Sequence, residues 1–124
     1  MNKIIKLTAS INPSTVIDGR GLIATYLPVG QLIHEWNYIV TLKGSQRGHH
    51  YHKEFDEYIM FVEGSGVYTE ISNGISLATM VSSGDCILIP RMVVHTFYPL
   101  ADSKVIALLT KQWDHCNEPI TKAP

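Results

Sequence analysis

The chain has little of what most readily betrays the role of a small protein. Two cysteines in 124 residues, Cys86 and Cys116, are too few and too far apart for a disulfide framework. They read as free thiols of a reducing compartment. Acidic and basic residues nearly cancel, for a formal net charge of −1, and lysine and arginine never form a run. That balance argues against nucleic acid and against an anionic membrane surface as partners. No stretch approaches the roughly 20 apolar residues of a membrane-spanning helix. The opening residues 1–7 lack the apolar core of a signal peptide, which makes the cytoplasm the expected address. Also missing is any segment with capped, three-to-four-residue apolar spacing, so helix content is expected to be low. With no repeat, linker or low-complexity tract, the expectation is a single domain over 1–124.

What is present is turn chemistry at intervals of eight to twelve residues. It falls at 18–21, 28–30, 43–45, 63–66, 72–74, 82–85, Pro90 and Pro99. Between these signals lie short runs rich in Val, Ile, Tyr, Thr and Phe, at 22–27, 33–42, 58–62, 67–71, 76–81, 86–89, 95–98 and 105–110. Such spacing predicts an all-β sandwich or barrel. Asn73-Gly74 suits a tight hairpin turn with positive backbone angles. The barrel is expected to occupy about 20–112, after an N-terminal strand at 3–8. A tail at 113–124 is expected to be loose or to drape over the barrel.

The most informative stretch is 44–57, which places His50, His52 and Glu57 within eight residues. Side chains alternate faces along a strand, so His50 and His52 are expected to point one way and Tyr51 the other. A hairpin brings Glu57, at the head of the next strand, back beside them. His95 opens a later strand, and if that strand lines the same interior, four ligands converge. Glu57 facing inward implies that Ile59 and Phe61 face inward, and His95 implies Phe97. The expected site is one divalent metal in an apolar pocket, with few polar groups to orient a small molecule. Three neutral imidazoles and a carboxylate suit Fe, Mn, Co, Ni, Cu or Zn, with positions left for a substrate oxygen or water.

Other candidates are weaker. His49 lies on the face opposite His50, and His34 has no partner in sequence. Asp114, His115 and Cys116 are adjacent, so their side chains splay, and they read as incidental. Arg47 sits where the pocket lip is expected; it is either an anion-binding fork or a solvated loop residue, and Lys53 has the same ambiguity.

These residues resemble the cupin superfamily. The first cupin signature, G-x5-H-x-H-x4-E-x6-G, is matched throughout by Gly44, His50, His52, Glu57 and Gly64. The second, G-x5-P-x-G-x2-H-x3-N, is matched at Gly84, Pro90 and His95, with Met92 in place of glycine and Pro99 in place of asparagine. The resemblance implies a jelly-roll β-barrel, or double-stranded β-helix, with His50, His52, Glu57 and His95 as metal ligands. Within that superfamily, Arg47-Gly-His-His-Tyr-His52 resembles the R-G-x-H-x-H element of cupins acting on nucleotide-linked deoxysugars, among them sugar 3,4-ketoisomerases. There a histidine of the pair shuttles protons and the carboxylate ligand is commonly missing. Glu57 is present here, which is more like the metal-holding branch.

The implied chemistry is metal-assisted proton transfer beside a ketone, with His50, His52 and Arg47 as the catalytic candidates. Tyr68 joins them if its strand faces inward, while parity turns Tyr58 outward. Two other classes share these ligands: Fe(II) dioxygenases, and non-catalytic cupins that bind a sugar or other small molecule. The resemblance also implies a homodimer. The run 4–7 and the outward Met60 and Val62 are where a partner sheet is expected to sit, unless the same chain covers them.

Overall fold

A computed structural model describes residues 3–7, 10–11, 19–27 and 30–124; of 10–11 it describes the backbone alone. The expected strand end at Thr8, and the turn residues Asp18, Pro28 and Val29, lie outside the described residues.

Twelve strands are described. They are β1 (Ile5–Leu7), β2 (Ser10–Ile11), β3 (Ala24–Thr25), β4 (Glu35–Thr41), β5 (Arg47–Tyr51), β6 (Glu57–Glu63), β7 (Ser65–Ser72), β8 (Ile75–Ser82), β9 (Cys86–Ile89), β10 (Val94–Pro99), β11 (Ser103–Leu109) and β12 (Thr121–Lys122). One short 3₁₀ turn, Trp113–His115, is the only helical element among the described residues. Two antiparallel five-stranded sheets face each other, in the orders β1-β9-β6-β11-β4 and β12-β5-β10-β7-β8. This is the all-β architecture expected from the turn spacing, in the jelly-roll form that the resemblance implied.

The inner faces carry the core. Phe61, Tyr68, Val81, Ile87, Ile89, Phe97 and Val105 pack as one buried cluster, and Phe55, Ala107 and Leu109 form a second beneath Trp113. Alternation places them. In β11 every second residue, from Ser103 to Leu109, is buried, as a strand with one face on a core requires. The β7–β8 hairpin turns at Asn73 (φ 52) and Gly74 (φ 75), the positive-angle pair that such a two-residue turn demands. Met92, standing where the second signature has glycine, is also held at positive φ (71).

Three sequence expectations are refined. The run 22–27 adds no strand to either five-stranded sheet: it yields only β3, which pairs with β2 in a separate two-stranded ribbon, and apart from β1 those sheets are built from β4 onward. Of the two expectations for the tail, loose or draped over the barrel, the second describes it: β12 adds to the edge of β5 through Thr121↔Tyr51 and Lys122↔His50. Tyr58 does point away from Glu57, yet it is buried, because the outer face of its sheet holds a second apolar cavity. That cavity is lined by Leu7, Tyr26, Ile33, Tyr58, Met60, Cys86 and Leu108. Of the residues assigned to a partner, Leu7 and Met60 line this cavity with Tyr26 and Ile33 of the same chain, whereas Val62 stays exposed.

Candidate metal centre

The β5 strand carries the first two histidines, and its irregularity aims them. Pairing with β10 runs Phe97↔Arg47, Thr96↔Gly48 and then His95↔His50, so His49 is an extra residue. Such a bulge places two residues of one strand against one of its neighbour. His49 takes φ 59 and is exposed, and its backbone N–H donates to Thr96 Oγ1 at 3.0 Å. Gly48 (φ 112) is required by space as well as by angle: a Cβ there would stand 2.5 Å from the His95 carbonyl oxygen and 2.8 Å from Thr96 Cα. The bulge leaves His50 directly opposite His95, both facing inward.

His52 follows the end of β5, buried and stacked on Phe55 with ring centroids 4.4 Å apart. The three imidazoles form a near-equilateral triangle, with centroids 4.7 Å (His50–His95), 5.0 Å (His50–His52) and 5.2 Å (His52–His95) apart. Their ligating atoms all lie within 4.8 Å of one another. Glu57, at the head of β6, is buried beside them, with Oε1 3.3 Å from His52 Nε2 and 3.7 Å from His95 Nε2. The four residues singled out in the sequence are therefore brought together.

Proton bookkeeping tests whether a cation fits. His52 Nδ1 lies 2.8 Å from the Pro119 carbonyl oxygen, and His95 Nδ1 lies 3.0 Å from that of Val93. A carbonyl oxygen only accepts, so each Nδ1 carries a proton, and in the neutral ring Nε2 is then the nitrogen that presents a lone pair. Those lone pairs face the Glu57 oxygen. Charging His50 and His95 is opposed. Burial, then His95 and His52, bring His50 down to about 4, and burial, aided by His52, lowers His95 although Glu57 pulls the other way. Lone pairs and a carboxylate converging in a buried space suit a divalent transition metal. The carbonyls on the far nitrogens are the outer partners such ligands usually have.

The cluster forms one end of a cavity of about 100 Å³ inside the barrel. Ile39, Ile59, Phe61, Phe97 and Val105 wall it, including the three inward positions inferred by parity. Arg47 reaches the same cavity from the exposed rim. Its Nε donates to Thr41 Oγ1 at 2.7 Å and one terminal nitrogen to the Val40 carbonyl at 2.9 Å, so the guanidinium is held in place with N–H groups to spare.

Tyr68 does face inward and lines this cavity. Its hydroxyl donates to Glu70 Oε2 at 2.7 Å, and both residues are buried. Burial, ahead of the opposing Tyr68 hydrogen bond, raises the Glu70 pKa above the ordinary carboxylate value. Burial, then the Glu70 charge, pushes the Tyr68 phenol far up, so it keeps its proton at neutral pH. Glu70 escaped the sequence reading. The available signal was its place two residues after Tyr68, which puts both side chains on one face of β7.

The remaining candidates lie apart. His34 and His115 are exposed, Asp114 is exposed, and Cys116 is half-buried; none of these joins the histidine cluster. Lys53 is paired at 2.7 Å with Glu118. Cys86 and Cys116 are free thiols.

A family model described as "Cupin" matches residues 15–123. No curated protein matches the chain significantly. Among solved structures, the chain is similar to the rmlC epimerase of Mycobacterium tuberculosis, at 19% identity and a TM-score of 0.75, covering 94% of this chain and 66% of that one. It is similar to a mutant of the 3,4-ketoisomerase QdtA of Thermoanaerobacterium thermosaccharolyticum, in complex with TDP-4-keto-6-deoxyglucose, at 11% identity and a TM-score of 0.76, covering 98% and 88%. It is also similar to the capsular polysaccharide assembling protein CapF of Staphylococcus aureus, at 16% identity and a TM-score of 0.67, covering 99% of this chain but only 33% of that protein. These likenesses establish the fold, and the chain spans a third of the last protein's length.

Proposed function

The chain belongs to the cupin family, and from that premise we propose that it is a metal-dependent isomerase or epimerase of a keto-sugar, carried as a nucleotide sugar, that works by proton transfer beside the ketone. The observation that carries this reading is a cluster of three imidazoles beside Glu57 that opens through His50, His95 and Glu57 onto an apolar cavity, which is also lined by Tyr68, the hydrogen-bond partner of Glu70. The rmlC epimerase and the ketoisomerase solved with a keto-sugar nucleotide share the barrel and support the choice of substrate class.

His50, His52, Glu57 and His95 would hold one divalent transition metal, which when bound supplies a Lewis acid for the substrate carbonyl. With three imidazoles engaged as ligands, none is left to move a proton. Arg47 does not deprotonate. That leaves Tyr68. Its oxygen takes the proton from the carbon beside the carbonyl as its own O–H proton passes to the Glu70 carboxylate, and the C–H electron pair moves into the carbonyl system. The reverse relay returns a proton from Glu70 through Tyr68 to the neighbouring carbon or to the opposite face. The raised pKa of Glu70 suits it to accept and return that proton.

A cavity of about 100 Å³ admits the reacting part of a sugar and no more, well below the roughly 300–1,000 Å³ of pockets that engulf a whole ligand. The nucleotide would lie outside, where Arg47 is placed to meet phosphate. An Arg47→Met variant is expected to raise KM for the nucleotide sugar roughly 10- to 100-fold, the worth of hydrogen bonds to a charged group, with metal content unchanged. Unaltered kinetics would remove Arg47 from the site.

The reading is tested by incubating metal-loaded protein with TDP-4-keto-6-deoxyglucose in D2O. Deuterium entering the sugar without oxygen consumption is expected. Oxygen uptake with iron bound would instead place the chain with the Fe(II) dioxygenases that use the same ligands. Binding without exchange or uptake would make it a non-catalytic sugar-binding cupin. A homodimer in the cytoplasm completes the proposal; light-scattering mass tests the assembly.

A further inference from the structure

We propose that the segment 117–124 is a positioning element for the metal centre, because the Pro119 carbonyl it delivers fixes the His52 ring, so that docking of this segment and metal affinity rise and fall together. The inference rests on the metal reading above. The His52 ring has two nitrogens with opposed tasks. Nδ1 must carry the proton if Nε2 is to offer a lone pair, and the partner holding it there is Pro119, 67 residues away in sequence. His95 differs, since its Nδ1 is held by Val93, two residues away on its own strand lead-in. One ligand is therefore set locally and the other by a remote segment.

That segment is attached lightly. None of its residues is buried. It is held by the two-residue β12 pairing, by Ala123 N–H to the His49 carbonyl (3.0 Å), by His49 Nε2 against the Pro124 carbonyl oxygen (3.1 Å), by Glu118 N–H to Glu54 Oε2 (2.7 Å) and by Lys53 Nζ to Glu118 Oε2 (2.7 Å). Edges with few buried apolar contacts and exposed hydrogen bonds open most readily. When this edge opens, the His52 ring is free to turn or change tautomer, and the metal loses a prepared ligand. Coupling between two sites is reciprocal, so metal binding must hold the segment down by the same factor by which the segment tightens metal. Every contact in this chain is independent of substrate, so the coupling is visible without turnover.

The test uses Co(II) and Zn(II) as probes. The full chain is compared with a variant ending at Glu118, each titrated against a chromophoric chelator. Affinity is expected to fall roughly 10- to 100-fold in the shortened chain, the usual consequence of losing an outer partner of a metal-bound histidine. In the unshortened protein, hydrogen exchange at the amides of 121–123 is expected to slow on saturation with metal, while β4 amides do not change. The exchange measurement decides the matter if the shortened chain does not fold. A folded shortened chain with parental affinity, or 121–123 amides indifferent to metal, overturns the proposal. A merely structural role would lower the melting temperature of the shortened chain and leave affinity alone. Should the full chain bind neither ion, the metal reading itself fails and this inference falls with it, a result distinct from the others because no affinity is left to compare.

Discussion

A Glu57→Gln variant is expected to emerge from purification without metal, binding divalent ions more weakly by well over the roughly 10- to 100-fold that follows loss of an outer partner. Glutamine keeps the shape of glutamate and removes the charge. Glu57 is the only acidic group in contact with the imidazole cluster among the described residues, with its oxygen 3.3 Å and 3.7 Å from two ring nitrogens. In a buried site, a carboxylate contributes far more to holding a dication than it does in water. The same substitution should spare the fold. Without metal, the carboxylate confronts the Nε2 lone pair of His95, whose charging burial opposes, and a lone pair neither attracts it nor donates to it. A glutamine amide nitrogen can donate to that lone pair. The melting temperature of the metal-free variant is therefore expected to equal or exceed that of the metal-free parent, while the stabilisation on adding metal disappears. Elemental analysis after dialysis and paired thermal melts give both numbers. Parental metal content in the variant would end the ligand assignment.

The contrast between what could and could not be read from the sequence follows from where each interaction is encoded. His50, His52 and Glu57 were legible because one strand, one turn and the start of the next strand are enough to place them, and a period of two fixes their faces. The same rule placed Ile59, Phe61 and Phe97 on the cavity wall. His95 required a pairing across the sheet, and the second signature supplied it. The bulge at His49 did not show, since an inserted residue changes register without changing composition; it appears only when β5 meets β10. Glu70 was overlooked because a lone acid in a strand reads as solvent-facing until its parity with Tyr68 is weighed. The run 22–27 joins neither five-stranded sheet although it has strand composition, because composition measures fitness for a pleated surface rather than the presence of a partner. The hold of Pro119 on His52 had no sequence signal at all, because the acceptor is a backbone carbonyl, which every residue carries.

A Tyr68→Phe variant is expected to keep its metal and lose its chemistry. Tyr68 lines the cavity and is not one of the cluster's ligating groups, so metal content should match the parent. Exchange of substrate hydrogen with solvent deuterium should drop roughly 10²- to 10⁴-fold, the usual contribution of a positioned proton carrier. KM should change little, because the group acts in the transition state rather than in binding. Some stability should go as well. Removing the donor leaves the buried Glu70 carboxyl without its 2.7 Å partner, a penalty of about 1–3 kcal/mol for a buried group stripped of a hydrogen bond. Glu70→Gln separates the two effects. It preserves the phenol and offers it an amide oxygen, so most stability returns, yet the amide cannot accept and hand back a proton. Its exchange rate should stay near that of Tyr68→Phe. If the two losses were purely structural, Glu70→Gln would recover rate and stability together. If instead Tyr68→Phe exchanges at the parental rate, the proton travels through a histidine that is not bound to metal, and the premise that all three imidazoles are ligands gives way with it.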